Sequence, residues 1–295
     1  MNNKMKNNCS ATKKALLVVH QQRSDPGAIG QKLKDRGYQL DIRRPVLGEK
    51  LPNSMESHDL AIIFGGPMSI NDINQKFIKE EINWIEIALK SKKPFLGICL
   101  GAQMLAKNLG GAVKNSNDNT YEIGFFDIIP TQYGNKMFEK QKTFFQWHNE
   151  GFNVPQDCLI LAEGKKFHQQ AFQYKNAYGL QFHPEVNIKL HLLWLYRVLL
   201  SAPHKLKNKG AQNIVRQLFL RVKHNNKIKM WLDDFLDNYI LKEEVLSFST
   251  FKRIKKPITK SISSEAIPNL GDEKINDIVP KRTGPIKEVT FPAKE

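Results

Sequence analysis

Apolar positions in the first hundred residues follow two alternating rhythms. "ALLVVH" (15–20), "YQLDIR" (38–43), "DLAIIFGG" (59–66) and "PFLGIC" (94–99) are short, mostly apolar runs, and the most continuous of them have the character of strands covered on both faces. Between them, "PGAIGQKLKDRG" (26–37) carries Pro26 in its first turn and Gly37 beyond its end, the punctuation of a helix. "QKFIKEEINWIEIALKSKK" (75–93) places Phe77, Ile78, Ile82, Ile85 and Leu89 on one helical stripe, and "AQMLAKNLGG" (102–111) is a short helix closed by a glycine pair. Strands alternating with helices predict an α/β fold, an open and mostly parallel sheet flanked by helices.

From about residue 121 the rhythm shortens. "EIGFFDIIP", "KTFFQW", "LILAEG" and "HQQAFQY" read as antiparallel strands, and "YGLQFH" (178–183) leads into a helical run over 186–200. Beyond 205, "NIVRQLFLRVK" and "MWLDDFLDNYIL" both show helical spacing. Trp231, Leu232, Phe235, Leu236 and Tyr239 share a face of the second, so a pair of helices docked on the core is expected, with a partner-binding surface as the other reading. Residues 1–14 and 252–295 are polar, without apolar period, and read as disordered. The organisation is therefore a disordered N-terminus over 1–14, a main domain over 15–204, a helical extension over 205–251 and a largely disordered basic tail over 252–295.

The formal net charge of +16 raises nucleic acid as a partner. The excess is densest over 201–295, which argues against nucleic-acid binding by the main domain. Three cysteines, Cys9, Cys99 and Cys158, make no disulfide framework, and the absence of a Cys-x-x-Cys pair argues against a zinc site. A reducing cytoplasm fits. No stretch approaches the roughly 20 apolar residues of a membrane span. No metal or cofactor is expected.

One cysteine stands in a particular setting. In "PFLGICLGAQ" (94–103), Cys99 falls where strand meets helix, with Gly97 and Gly101 two residues to either side. A strand–nucleophile–helix turn is tight and needs small residues there, as in the Gly-x-Ser-x-Gly elbow. The helix N-terminus favours a thiolate. In "YGLQFHPE" (178–185), strand alternation puts Gln181 and His183 on one side, and Pro184 keeps the chain extended, so Glu185 can hold the far nitrogen of His183. That makes His183 the candidate base and Glu185 its orienter. "FGGPMS" (64–69) can turn a backbone N–H inward, and the N–H of Leu100 is a second candidate donor to an oxyanion. Cys9 and Cys158 have no comparable setting and read as structural.

Taken together, "GGP", "GICLGAQ" and "QFHPE", in this order and spacing, resemble the class I, or triad, glutamine amidotransferases over roughly residues 15–200. The resemblance implies that family's flavodoxin-like sheet and a reaction on glutamine: Cys99 forms a γ-glutamyl thioester and expels ammonia, His183 shuttles the proton, Glu185 orients it, and Gly66 and Leu100 offer amides to the oxyanion. It further implies substrate contacts at Gln103, at Glu122 in "YEIGF" (121–125), and at His148. "FQWHNEGFNVP" (145–155) is similar to the Trp-His-Gly-Asp segment of the guanylate-synthase-type branch, except that Asn149-Glu150 stands where Gly-Asp is expected.

Residues 201–295 contain no phosphate-cradling Gly-x-x-x-x-Gly-Lys-Ser/Thr loop, so ammonia made here would go to a separate synthase subunit or be released. A γ-glutamyl peptidase or hydrolase would use the same thioester, and the motifs do not separate it from a glutaminase. A non-catalytic interaction protein is the remaining alternative, against which the three intact triad residues argue.

Overall fold

The computed structural model describes residues 12–72, 75–116 and 118–242. Cys9, most of the 1–14 segment, the end of the extension and the 252–295 tail lie outside the described residues.

The main sheet has eight strands. In chain order these are β1 (Lys14–Val18), β2 (Gln39–Arg43), β3 (Leu60–Ile63), β4 (Phe95–Ile98), β7 (Ile129–Pro130), β10 (Leu159–Glu163), β11 (Gln169–Tyr174) and β12 (Ala177–Leu180). Their spatial order is β2-β1-β3-β4-β12-β11-β10-β7. The first five run parallel and the last three are antiparallel additions. Two antiparallel pairs stand apart: β5 (Ala112–Asn115) with β9 (Glu150–Asn153), and β6 (Glu122–Asp127) with β8 (Thr143–His148). The β5–β9 pair is a ladder that the apolar pattern does not show.

Side chains alternate across the parallel strands, as the pleat requires. Leu17, Ile62, Leu96 and Ile98 face one core, whereas Leu16, Val18, Ile63 and Phe95 face the other. Helices α2 (Lys76–Lys90) and α3 (Leu100–Asn108) cover the second face, and α1 (Gly27–Asp35) and α5 (Ile214–Phe235) cover the first. Helix α4 (Ile188–Ser201) begins at Asn187 and α5 at Asn213, each capped by the asparagine side chain accepting from the third residue on, at 2.9 and 2.8 Å.

The stripe on α2 differs from the expected one. Its buried residues are Ile78, Glu81, Trp84, Ile85 and Ala88, so the inward face is rotated toward a carboxylate, while Phe77, Ile82 and Leu89 are only half-buried.

The expected pair of helices beyond 205 is one helix. α5 runs unbroken through the polar "HNNKIK" stretch (224–229) and continues in a π-turn at Leu236–Ile240. The polar residues there lie mostly on its outer side, so they interrupt the sequence pattern without interrupting the helix. Inward, Trp231 and Phe235 stack at 4.9 Å, and Trp231 meets Phe144 at 4.8 Å. The connection before α5 runs along the edge of β6, where Gln212 accepts from the backbone of Phe125 at 3.0 Å and its own N–H donates to Ile123 at 2.9 Å. The extension therefore shares the core of the main domain. A bidentate Arg36–Asp237 pair and Lys32–Asp233 join α1 to it, though such half-exposed pairs stabilise by about 1 kcal/mol at most. Among the described residues, no helix is long and apolar enough to cross a membrane.

Candidate active site

β4 and β12 are parallel neighbours with Ile98 opposite Leu180. The pairing extends one step further, because the N–H of Cys99 donates to the Leu180 carbonyl at 2.7 Å. Two chain segments far apart in sequence are thereby delivered to the same sheet end, with Gln181 beside Cys99 and His183 two residues on. The Gln181 amide lies 3.7 Å from the Cys99 sulfur.

Cys99 itself has φ +49° and ψ −105°, and α3 starts at the next residue. A non-glycine residue with positive φ is strained, by about 1–3 kcal/mol. The flanking glycines make the turn possible: an added Cβ on Gly97 would lie 2.5 Å from the Gly101 carbonyl oxygen, and one on Gly101 would lie 2.0 Å from that of Ile63. As the first residue of α3, Leu100 has an N–H with no acceptor inside the helix.

His183 is fixed at both ends. Its backbone N–H donates to Phe145 at 2.8 Å, and its Nδ1 pairs with Glu185 Oε1 at 2.7 Å. Glu185 is held through its carbonyl by the N–H of Ala28 at the start of α1, at 2.8 Å. Gly27, at φ +59°, is needed there, since a Cβ would sit 2.3 Å from that carbonyl. Burial pulls the His183 pKa down, but the charges of Glu185 and Cys99 and the hydrogen bond to Glu185 outweigh it, and the ring's pKa rises well above its ordinary value. Trp194 of α4 stands edge-on to the imidazole at 5.2 Å. Nothing in its helical run distinguishes this tryptophan in the sequence.

Gly65 and Gly66 complete the wall. A Cβ on Gly65 would lie 2.7 Å from His183 Cε1 and 3.4 Å from Cys99 Cβ, so only a bare backbone leaves room beside the sulfur and the imidazole. The loop is held from behind by a pair that periodicity does not reveal. His20 Nδ1 contacts the Gly65 carbonyl at 3.2 Å, and His20 Nε2 meets Glu81 Oε2 at 2.9 Å, with both side chains fully buried. This explains the carboxylate on the inner face of α2.

Gln103 lines the cavity and donates to the Glu150 carbonyl at 3.0 Å. His148 also lines it, but its ring is engaged by the Glu150 carbonyl at 2.9 Å and by Gln146 and Glu122, both at 3.1 Å. Glu122 is directly opposite His148 in the ladder and bonded to Gln170 at 3.0 Å, so its carboxylate meets His148 and Gln170 and does not line the cavity. Glu150, the unexpected residue after Asn149, accepts from Ser69 at 2.7 Å and Asn71 at 3.2 Å, tying the loop after Pro67 to β9. Cys158 is remote from these groups; burial pushes its thiol up to about 12, which leaves it inert.

The cavity has a volume of about 690 Å³. A larger one, about 1160 Å³, lies against Pro94 and Asn176 at the opposite strand ends and contains none of these residues. Ligands of open α/β sheets bind at the carboxyl ends of the strands, and Cys99 and His183 mark the smaller cavity as the candidate site.

Residues 25–198 match the family model for glutamine amidotransferase class-I. The chain belongs to the class I glutamine amidotransferases. Within that family it is 31% identical over 183 residues to the glutamine amidotransferase-like protein YfeJ of Salmonella typhimurium, covering 59% of this chain and 76% of that protein. It is 30% identical over 157 residues to a subunit of the glutamine-hydrolyzing GMP synthase of Saccharolobus solfataricus, covering 52% and 80%. A crystal structure of a glutamine amidotransferase from Thermotoga maritima superposes with a TM-score of 0.70 at 29% identity, covering 78% of this chain and 99% of that one. The first two matches cover little more than half of this amidotransferase; the structural match covers more than three quarters.

Proposed function

We propose that this amidotransferase hydrolyses the side-chain amide of glutamine with Cys99, His183 and Glu185 as its triad. The observation that supports this most directly is the strained Cys99 at the head of α3, beside an imidazole whose other nitrogen is held by a buried carboxylate. The sulfur attacks the Cδ carbonyl, and the oxyanion accepts from the N–H groups of Gly66 and Leu100. Imidazolium His183 passes its proton to the amide nitrogen, and ammonia leaves a γ-glutamyl thioester. Water then attacks with His183 as base, releasing glutamate and the thiol.

Gln103 and His148 shape the substrate end of the cavity, and Glu122 acts by fixing His148. Relatives named as one subunit of a glutamine-hydrolyzing GMP synthase favour delivery of ammonia to a separate synthase subunit. A reducing compartment such as the cytoplasm suits the thiol.

Incubation with glutamine and a panel of γ-glutamyl peptides, following ammonia release and the mass of the trapped acyl-enzyme, tests the reading. Turnover of glutamine supports it, and turnover of γ-glutamyl peptides alone would assign a γ-glutamyl hydrolase instead. The His20–Glu81 pair gives a second check. Glu81→Gln should lower kcat by about 10–100-fold with KM little changed, because it loosens one oxyanion donor without removing it; an unchanged kcat in steady-state assays would show that the loop holds itself.

A further inference from the structure

The larger cavity, at the strand ends away from Cys99, is lined by eight lysines against three carboxylates, Asp59, Glu139 and Asp234. Asp59 already accepts from the backbone N–H of Lys14, and Asp234 from Asn238, both at 2.8 Å. Lys93 is occupied by the carbonyls of Met55, Glu56 and His58 at 2.7–3.2 Å, and Lys13 and Lys242 are also engaged. Five lysines remain: Lys92, Lys136, Lys140, Lys175 and Lys227. Among the described residues none of the five forms an ion pair, whereas Lys90 and Lys209, away from this cavity, find carboxylates at 2.7 and 2.8 Å. They come from four separate segments: the turn after α2, the connection between β7 and β8, the turn between β11 and β12, and α5. A solvated helix face gathers its charges from one element; here they converge on one volume.

The backbone holds them there. Lys92 and Lys175 have φ of +59° and +53°, left-handed positions where glycine sits without cost and a β-carbon is strained. Asn176, next to Lys175, donates to the Lys92 carbonyl at 2.7 Å, and Gln173 donates to that of Lys175 at 2.9 Å, so both turns are fixed. Trp231 donates to the Met137 carbonyl at 2.8 Å and ties the Lys136–Lys140 segment to the helix that carries Lys227. The Lys175 ammonium rests 4.8 Å from the centre of the Tyr174 ring. Like charges in one concavity repel one another and raise the local concentration of anions.

We propose that this cavity is a binding site for a small, multiply phosphorylated anion, held by Lys92, Lys136, Lys140, Lys175 and Lys227. Lysine meets phosphate as a point charge, and a single carboxylate would leave most of the five uncompensated. The volume of about 1160 Å³ is that of a small-molecule site, and Trp231 and Tyr239 in its wall give a nucleoside something to lie against. The active-site cavity has no such excess: Arg23, Arg197 and Lys205 are matched there by Asp25, Asp72 and Glu150. The proposal is independent of the triad.

Calorimetric titration of the full chain at low salt, with inorganic triphosphate and with ATP as probes, tests it. Each should bind saturably at one site per chain, and sulfate at matched ionic strength should not displace it. The double variant Lys92→Gly, Lys175→Gly should weaken binding by at least about tenfold while its melting temperature stays within about 3 °C of wild type. Should it fail to fold, Lys136→Gln with Lys140→Gln, both exposed, carries the same expectation. ATP binding more tightly than triphosphate would assign a nucleoside to the aromatic wall, and equal affinities would assign the phosphate chain alone; either supports the site. No saturable binding, equal competition by sulfate, or an affinity that the variants leave unchanged would overturn it.

Discussion

Replacing Cys99 with alanine is expected to slow ammonia release from glutamine by about 10⁴-fold or more, with an unchanged thermal melt. Among the described residues no second cysteine lines the cavity. The Cys158 thiol is pushed up to about 12 and lies away from the cavity. The residual rate would come from the Gly66 and Leu100 amides and from binding alone, as in other triads stripped of a member. Alanine fits the space, because Cys99 is already packed in the core behind its sulfur. Mass spectrometry of a glutamine-quenched sample should show an acyl adduct on the wild type and none on the variant. A rate within tenfold of wild type would place the chemistry elsewhere.

The second large effect is structural. Gly101→Ala should yield either no soluble protein or a melting temperature lower by about 10 °C or more. The added methyl would meet the Ile63 carbonyl oxygen at 2.0 Å and its carbon at 2.7 Å. These are backbone atoms of a central strand, paired on both sides with β1 and β4, so neither a rotamer change nor a loop shift relieves the contact. Overpacking relieved by small shifts costs about 1–3 kcal/mol; a clash with fixed backbone costs more. Thermal melting by circular dichroism checks it, and a shift under 2 °C would mean that α3 can slide on β3.

Most of the fold was legible because parallel strands buried on both faces leave continuous apolar runs, and because the elbow constrains residues close together in sequence. The expected positions of Gln181 and His183 followed from strand alternation alone, and the ladder from β4 to β12 puts them where that alternation implied. Glu81 and Arg221 were not legible for a common physical reason. Each is a charged residue on a helix, a position that normally faces water, and each is buried against a histidine supplied from distant sequence: His20, 61 residues away, and His191, 30 residues away. The break expected within α5 was misplaced because an outward-facing polar run looks the same as a loop when only periodicity is read. Glu122 paired with His148 for another reason, since the ladder that sets them face to face joins strands separated by an irregular stretch.

The ring of Trp231 lies against Phe138, Phe144 and Phe182 and stacks on Phe235, inside the core that the main domain shares with α5. A recombinant fragment trimmed to the end of the family match at residue 198 would therefore carry a raw aromatic wound where a helix belongs. Any minimal catalytic unit has to be cut after Ile240.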